Sequence, residues 1–171
     1  VNDAAGDAGV VVCAAGAMPG DLHKLWRTRD PKGYHVEYGY SCMGYEIPGG
    51  MGVKLAAPDR EVFVMIGDGS YLMLPGELAT AVAEGIKIVV VLVQNHGYAS
   101  IGALSRSVGD GEFGTKYESS VDLATNAESL GALVFRTHTI EELRDALVQA
   151  KAAHAPVVVH VEVDRYEGVP S

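Results

Sequence analysis

Cysteine is scarce in this 171-residue chain, and the little there is does not pair by spacing. Cys13 and Cys42 make no C-x-x-C motif, and no His/Cys set has the spacing of zinc ligands. Both fall in segments expected to be buried or nearly so. With no secretory feature in the sequence, a disulfide between them is not expected. Long apolar runs are also missing: none approaches the ~18 residues that a bilayer-spanning helix needs, so no membrane partner is expected. Positive charge is in deficit, with 13 Lys and Arg against 22 Asp and Glu and a formal charge of −9. No basic cluster is available to displace phosphate counterions, which excludes nucleic acid as the main partner. A phosphorylated small molecule stays compatible, because one divalent cation and a few backbone amides neutralise a diphosphate locally. The sequence starts Val-Asn-Asp-Ala, with no initiator Met and no signal peptide. It reads as a cytoplasmic protein and as a single domain over residues 1–171, a fragment of something longer.

Glycine, by contrast, is plentiful at 21 residues, many of them where a strand should hand over to a helix. Apolar residues make up 48% of the chain and charged residues 20%, ordinary values for an α/β domain. Short aliphatic runs recur at Gly9–Ala15, Glu61–Ile66, Ile86–Val93, Ala132–Arg136 and Pro156–Val163, with a shorter candidate at Tyr34–Tyr38. Continuous rather than alternating apolar runs are the mark of strands covered on both faces. Helical spacing predicts helices over 18–26, 43–57, 78–85, 121–130 and 139–153. Thr139 followed by Glu142 forms a capping box for the last of these. Pro48 and Pro75 lie in helical stretches, so each must sit in a first turn or a kink. The stretch Gly102–Ser120, with four glycines and no clear period, reads as a mobile loop with room for a short helical turn. This alternation predicts an α/β fold: an open, mostly parallel sheet of about six strands with helices on both faces. Ligands of such sheets bind beyond the strand carboxyl ends, beside a topological switch point.

Two polar interruptions fall at such ends. Gly67-Asp68-Gly69 follows one confident strand, and Asn95-His96-Gly97 follows the next, 27 residues further on. That separation suits one strand–helix–strand crossover, which brings both tips to a common rim. A magnesium ion holding a diphosphate wants about six oxygens near 2.1 Å. Asp68 offers a carboxylate, Asn95 an amide oxygen and Gly97 a backbone carbonyl, while Gly69 and Ser70 open a helix whose amides can face phosphate. The expected metal ligands are thus Asp68, Asn95 and Gly97. Of the six histidines only His96 is placed to touch a bound cofactor. His35 and His160, in strands, are expected to be satisfied locally, and His23, His138 and His154 are expected on solvated helix surfaces or ends.

Gly-Asp-Gly followed one crossover later by Asn resembles the fingerprint of thiamine-diphosphate-dependent enzymes. That resemblance implies a diphosphate- and Mg2+-binding domain, with Gly67, Asp68, Gly69, Ser70, Asn95, His96 and Gly97 around the cofactor. A second similarity lies upstream in Ser41-Cys42-Met43-Gly44-Tyr45. In related enzymes such as acetolactate synthase, an apolar residue in the place of Met43 wedges between the two cofactor rings. A backbone carbonyl in the place of Ser41 accepts from the aminopyrimidine amine. Ser41, where many relatives carry Gly, and Gln94, where several carry Asp, are departures from the pattern. Over residues 34–117 the closest likeness is to the trihydroxycyclohexanedione hydrolases of myo-inositol catabolism, in Tyr38 to Ile47, Gly67 to Met73 and Asn95 to Gly97. That likeness implies hydrolytic cleavage of a carbon–carbon bond in a cyclic diketone, a small-molecule substrate.

No second copy of the fold is present, so the glutamate that activates the cofactor is expected on a pyrimidine-binding domain of the same or a partner subunit, in a homodimer or tetramer. Glu37 and Glu46 lie on the diphosphate side and read as solvated carboxylates, Glu46 alternatively as a contact in the substrate pocket. The chain alone is expected to be inactive. Within the family the rival reading is an acetolactate-synthase-like carboligase or a 2-oxo acid decarboxylase. From other classes come a non-catalytic assembly domain and a nucleotide-binding module, although no G-x-G-x-x-G turn follows the first strand.

Overall fold

The computed structural model describes residues 1–166. Six strands form one sheet: β1 (Val10–Cys13), β2 (Tyr34–Val36), β3 (Val62–Gly67), β4 (Val89–Gln94), β5 (Leu133–Thr137) and β6 (Val157–Glu162). All neighbours pair in parallel, in the order β2-β1-β3-β4-β6-β5. The chain steps from β1 to β2 on one side and then crosses back past β1 to β3 on the other, so a switch point lies between β1 and β3.

The central strands are apolar on both sides because helices cover both. On one face Val62, Val64 and Ile66 join Ile88, Val90 and Leu92 under α3 (Glu46–Ala56), α5 (Gly76–Ala83) and α7 (Leu123–Ser129). On the other, Phe63 and Met65 join Val89, Val91, Val157 and Val159 under α2 (Met18–Leu25) and α8 (Ile140–Ala152), with Ala5 of the short α1 (Asn2–Ala5). The period-2 division of each strand between two cores is what a doubly covered sheet requires. Among the described residues no helix is long and apolar enough to cross a membrane.

Every strand expected from the sequence is present, with ends shifted by up to three residues. The prolines sit as helix geometry demands: Pro48 in the first turn of α3 and Pro75 at the N-cap of α5. Thr139 caps α8 by accepting from the Glu142 amide, while Glu142 reaches back to the His138 amide. Three expectations need correction. The helix foreseen from residue 43 starts only at Glu46, because a turn at residues 42–45 closes first. The region expected as the mobile loop Gly102–Ser120 begins inside a helix, α6 (Ala99–Ser107), and the rest is tied down: Gly97 bridges Lys116, and Glu112 pairs with Arg106 and Lys116. Cys42 is exposed rather than buried. Cys13 is buried as expected, and both thiols are free.

Candidate functional site

The carboxyl ends of β3 and β4 are adjacent, with Gly67 opposite Val93. Beyond β3 the chain turns at once into α4 (Asp68–Tyr71), a helical turn of four residues. Asp68 is almost sealed, at 1% exposure. Its Oδ1 accepts from the Gly69 amide at 2.8 Å. Its Oδ2 accepts from the Asn95 and Gly97 amides, each at 3.1 Å. One carboxylate therefore clasps the loop that follows β4 to the turn that follows β3. Burial pushes the Asp68 carboxyl above its ordinary range, and the amide hydrogen bonds from Gly97, Gly69 and Asn95 pull it part of the way back. No cationic side chain among the described residues pairs with it. It is an almost buried carboxylate satisfied by dipoles alone, an arrangement that leaves its charge uncompensated.

The Asn95 side chain points into the same spot. Turned one way, its Nδ2 lies 2.9 Å from the Gly97 carbonyl oxygen and 3.3 Å from Asp68 Oδ1. Turned the other way, Oδ1 faces those oxygens across the same gaps. Asn95 Oδ1 then lies 2.9 and 3.3 Å from two other oxygens, spacings like the ~3.0 Å between neighbouring ligands of a Mg2+ ion at ~2.1 Å. No cluster of three His, Cys, Asp or Glu side chains occurs among the described residues. A hard-cation site of one carboxylate plus neutral oxygens does not need one. The residues present fit such an ion.

Loop conformation follows from this arrangement. His96 (φ 61°) and Gly97 (φ 144°) both sit at positive φ. A Cβ on Gly97 would lie 2.3 Å from the Thr115 carbonyl oxygen and 2.7 Å from the Arg165 guanidinium, so only glycine fits. Arg165 donates to the carbonyls of His96 and Thr115 and holds this loop against its neighbour. The His96 ring does not join the cluster. Its Nε2 pairs with Glu162 of β6 at 2.6 Å, and its Nδ1 lies 3.3 Å from Gln94 Nε2. Gln94 Oε1 in turn meets His160 Nε2 at 2.7 Å, and His35 Nε2 lies 2.7 Å from the Tyr45 hydroxyl, so both strand histidines are satisfied locally as expected.

Gly69 and Ser70 are both engaged by neighbouring groups. The Gly69 amide is engaged by Asp68, and four residues of helix give little dipole to support a phosphate. The Ser70 hydroxyl faces away from the cluster: it donates to Glu46 and accepts from the Gly44 amide at 2.8 Å. Met43 and Ser41 stand on the other side of the turn. A Cβ built on Gly69 would lie 3.5 Å from Met43 Cε and 2.8 Å from the Tyr98 ring, so these two side chains flank the glycine. Ser41 is exposed and held at φ 51°.

Sequence reasoning missed two groups here. Glu46, read as solvated or as a pocket contact, is wholly buried, because it shares the core stripe of α3 with Ile47, Gly50 and Met51. That i, i+4 placement was the available signal. Tyr117 stands edge-on to Tyr98, ring centroids 5.9 Å apart, with a buried hydroxyl that has no hydrogen-bond partner among the described residues. Burial, with the Asp68 charge as the next contribution, pushes that hydroxyl well above the usual phenol range. An apolar groove of about 450 Å³ lies elsewhere, lined by His35, Tyr45, Pro48 and Val53, and carries no carboxylate. The buried Asp68 carboxylate lies at the strand tips, away from this groove.

The sequence resembles those of known proteins. The family described as "Thiamine pyrophosphate enzyme, C-terminal TPP binding domain" matches residues 14–161. The 3D-(3,5/4)-trihydroxycyclohexane-1,2-dione hydrolase of Bacillus subtilis (strain 168) is 43% identical over 169 residues, 95% of this chain and 26% of that protein. Its namesake from Halalkalibacterium halodurans is 42% identical over 180 residues, 98% of this chain and 28% of that protein. The one from Geobacillus thermodenitrificans is 42% identical over 176 residues, 95% and 28% respectively. The chain thus spans about a quarter of the length of these relatives. With the strand-tip geometry and a match across most of its length, the chain belongs to the thiamine pyrophosphate (thiamine diphosphate) enzymes, as their C-terminal cofactor-binding domain.

Proposed function

We propose that this domain holds Mg2+ through the Asp68 carboxylate, the Asn95 amide oxygen and the Gly97 carbonyl, and through that ion the diphosphate of thiamine diphosphate. The observation that carries the reading is the Asn95 side chain set 2.9 Å from the Gly97 carbonyl oxygen and 3.3 Å from Asp68 Oδ1, at the tips of two adjacent parallel strands. A divalent ion there supplies the countercharge that the buried Asp68 lacks. The Asn95 amide is then turned with its oxygen toward the ion. Met43 and the Ser41 carbonyl face the thiamine end, and Gly67, Gly69, Ser70 and His96 contribute the backbone around the diphosphate. When bound, the cofactor supplies a thiazolium carbon able to add to a substrate carbonyl. The residues of this domain bind and orient it, and Asp68 and Asn95 keep the diphosphate end rigid.

The reaction proposed for the whole enzyme is hydrolytic carbon–carbon cleavage of a trihydroxycyclohexanedione in inositol catabolism, supported by the names of the relatives at 42–43% identity. A pyrimidine-binding domain, of the same or a partner subunit in a homodimer or larger assembly, completes the site and provides the activating glutamate. The test is calorimetric titration of the enzyme carrying this domain with Mg2+ and thiamine diphosphate, beside its Asp68→Ala variant. Binding by the wild type and none by the variant is the expected outcome, and equal binding by both refutes the metal assignment. Turnover of the cyclic diketone and not of pyruvate separates this reading from a carboligase or 2-oxo acid decarboxylase.

A further inference from the structure

Glu46 is a buried acid for which the site as described has no use. It is 0% exposed and has no ion-pair partner among the described residues. Its two oxygens instead collect donors from three separate segments. Oε1 takes the Ala15 amide at the end of β1, at 3.3 Å. Oε2 takes the Gly44 amide, at 3.1 Å. The Ser70 hydroxyl of α4 lies 2.8 and 2.7 Å from the two. Ser70 also accepts from Gly44 at 2.8 Å, which closes a triangle between the 42–45 turn and the turn carrying Asp68. A second glutamate holds the other end of the same loop, since Glu37 accepts from the Tyr40 amide at 3.0 Å and the Cys42 amide at 2.7 Å. The amides of residues 40, 42 and 44 are thereby fixed by carboxylates. Ser41 and Met43 alternate with them, Ser41 in the strained left-handed region and Met43 with its methyl group over Gly69.

We propose that Glu46 is a positioning residue for the thiamine end of the cofactor: its buried carboxylate locks the 42–45 turn to the Asp68 turn and so sets where Met43 stands above Gly69. This rests on the assignment of the diphosphate site to Asp68, Asn95 and Gly97. The chemistry of the junction calls for a carboxylate in particular. All the groups aimed at it are donors, so a carboxamide would push its own N–H2 against the Ala15 or Gly44 amide. A group holding diphosphate alone has no need of Glu46, because none of the three proposed metal ligands touches it. Recognition of the rings does need it, through Met43.

Two ligands separate these effects: thiamine diphosphate with Mg2+, and inorganic diphosphate with Mg2+. In the enzyme carrying this domain, Glu46→Gln is expected to weaken thiamine diphosphate about tenfold and to change inorganic diphosphate by less than about twofold. Ser70→Ala, which keeps the glutamate and removes one corner of the triangle, is expected to show the same selectivity at about threefold, and it carries the test if Glu46→Gln does not fold. Met43→Ala should reproduce the selectivity without disturbing the network. If both ligands weaken equally, Glu46 is only a support for the fold and the proposal falls. If neither changes, the junction does not act on the cofactor and the proposal falls again. Should the wild-type enzyme bind neither ligand, or Asp68→Ala bind both as well as wild type, the diphosphate site itself is wrong and this inference goes with it.

Discussion

Asp68→Asn removes one charge and keeps the shape of the side chain, which makes it the sharpest perturbation of the site. Two effects follow, and the structure assigns a size to each. Without ligand, the carboxamide must turn its N–H2 either toward the Gly69 amide or toward the amides of Asn95 and Gly97, all of them donors. One or two buried amides then lose their acceptor, at about 1–3 kcal/mol each, partly offset because an uncompensated buried charge is gone as well. With ligand, the cation loses its one anionic protein partner. Breaking a buried ion pair by removing one member costs about 3–5 kcal/mol. That corresponds to an increase in Kd of roughly 150- to 5,000-fold for Mg2+ with thiamine diphosphate. Titration calorimetry reads the Kd directly. Thermal unfolding with and without ligand gives a second reading, because ligand at 100 times its Kd stabilises the wild type by about 2.7 kcal/mol and the variant by almost nothing. A variant whose Kd stays within tenfold of wild type would refute the reasoning: Asp68 would then be a turn residue that happens to lie between two strand tips.

Other perturbations probe the same frame from different sides. Gly97→Ala places a Cβ 2.3 Å from the Thr115 carbonyl in a backbone conformation that suits glycine, so denaturant titration should show a loss of about 1–3 kcal/mol and calorimetry a Kd at least tenfold higher. Leu147→Ala on α8, in the core of the opposite face, should cost about 2–5 kcal/mol in the same denaturant titration and leave the Kd for cofactor as it was. Burial lowers the pKa of His160 below its ordinary 6.5, so between the two values the folded state holds less proton than the unfolded one. Its contribution to stability is therefore complete above pH 6.5 and is lost as pH falls from there through the lowered folded-state value. The unfolding midpoint should drop more between pH 7.5 and pH 5.5 in wild type than in His160→Gln, and equal drops would contradict the shift.

The fold was legible where one physical signal dominated. Val62 to Ile66 and Val89 to Leu92 are apolar at every position, which suits only a strand with helices on both faces, and the structure packs alternate residues of each into opposite cores. The capping box at Thr139 and the prolines at the starts of α3 and α5 could be read for the same reason, since each is a local rule with little to override it. Helix α6 was not legible. Its sequence, Ala-Ser-Ile-Gly-Ala-Leu-Ser-Arg-Ser, carries a glycine and three serines, and it owes its order to contacts made elsewhere: Gly102 against Thr115, and Arg106 with Glu112. Propensity alone cannot see a helix that tertiary contacts enforce.

The site divides along the same line, and the division explains why Asp68 matters more than a list of ligands suggests. The spacing of Asp68 and Asn95 was readable because a crossover of fixed length joins adjacent parallel strands. The roles of His96, Glu46 and Tyr117 were not readable, because each depends on which groups from distant segments face it. Asp68 works on both levels. Its Oδ2 takes the amides of Asn95 and Gly97, the two residues that offer the remaining protein oxygens. The carboxylate thus arranges its proposed co-ligands in advance, through hydrogen bonds that a metal on the free lone pairs would not have to break. A loop with two successive residues at positive φ would not hold that shape by itself. The strain is sustained by the acid at the tip of the neighbouring strand, so under the proposed assignment the order of the loop and the affinity for metal would be one property of a single side chain.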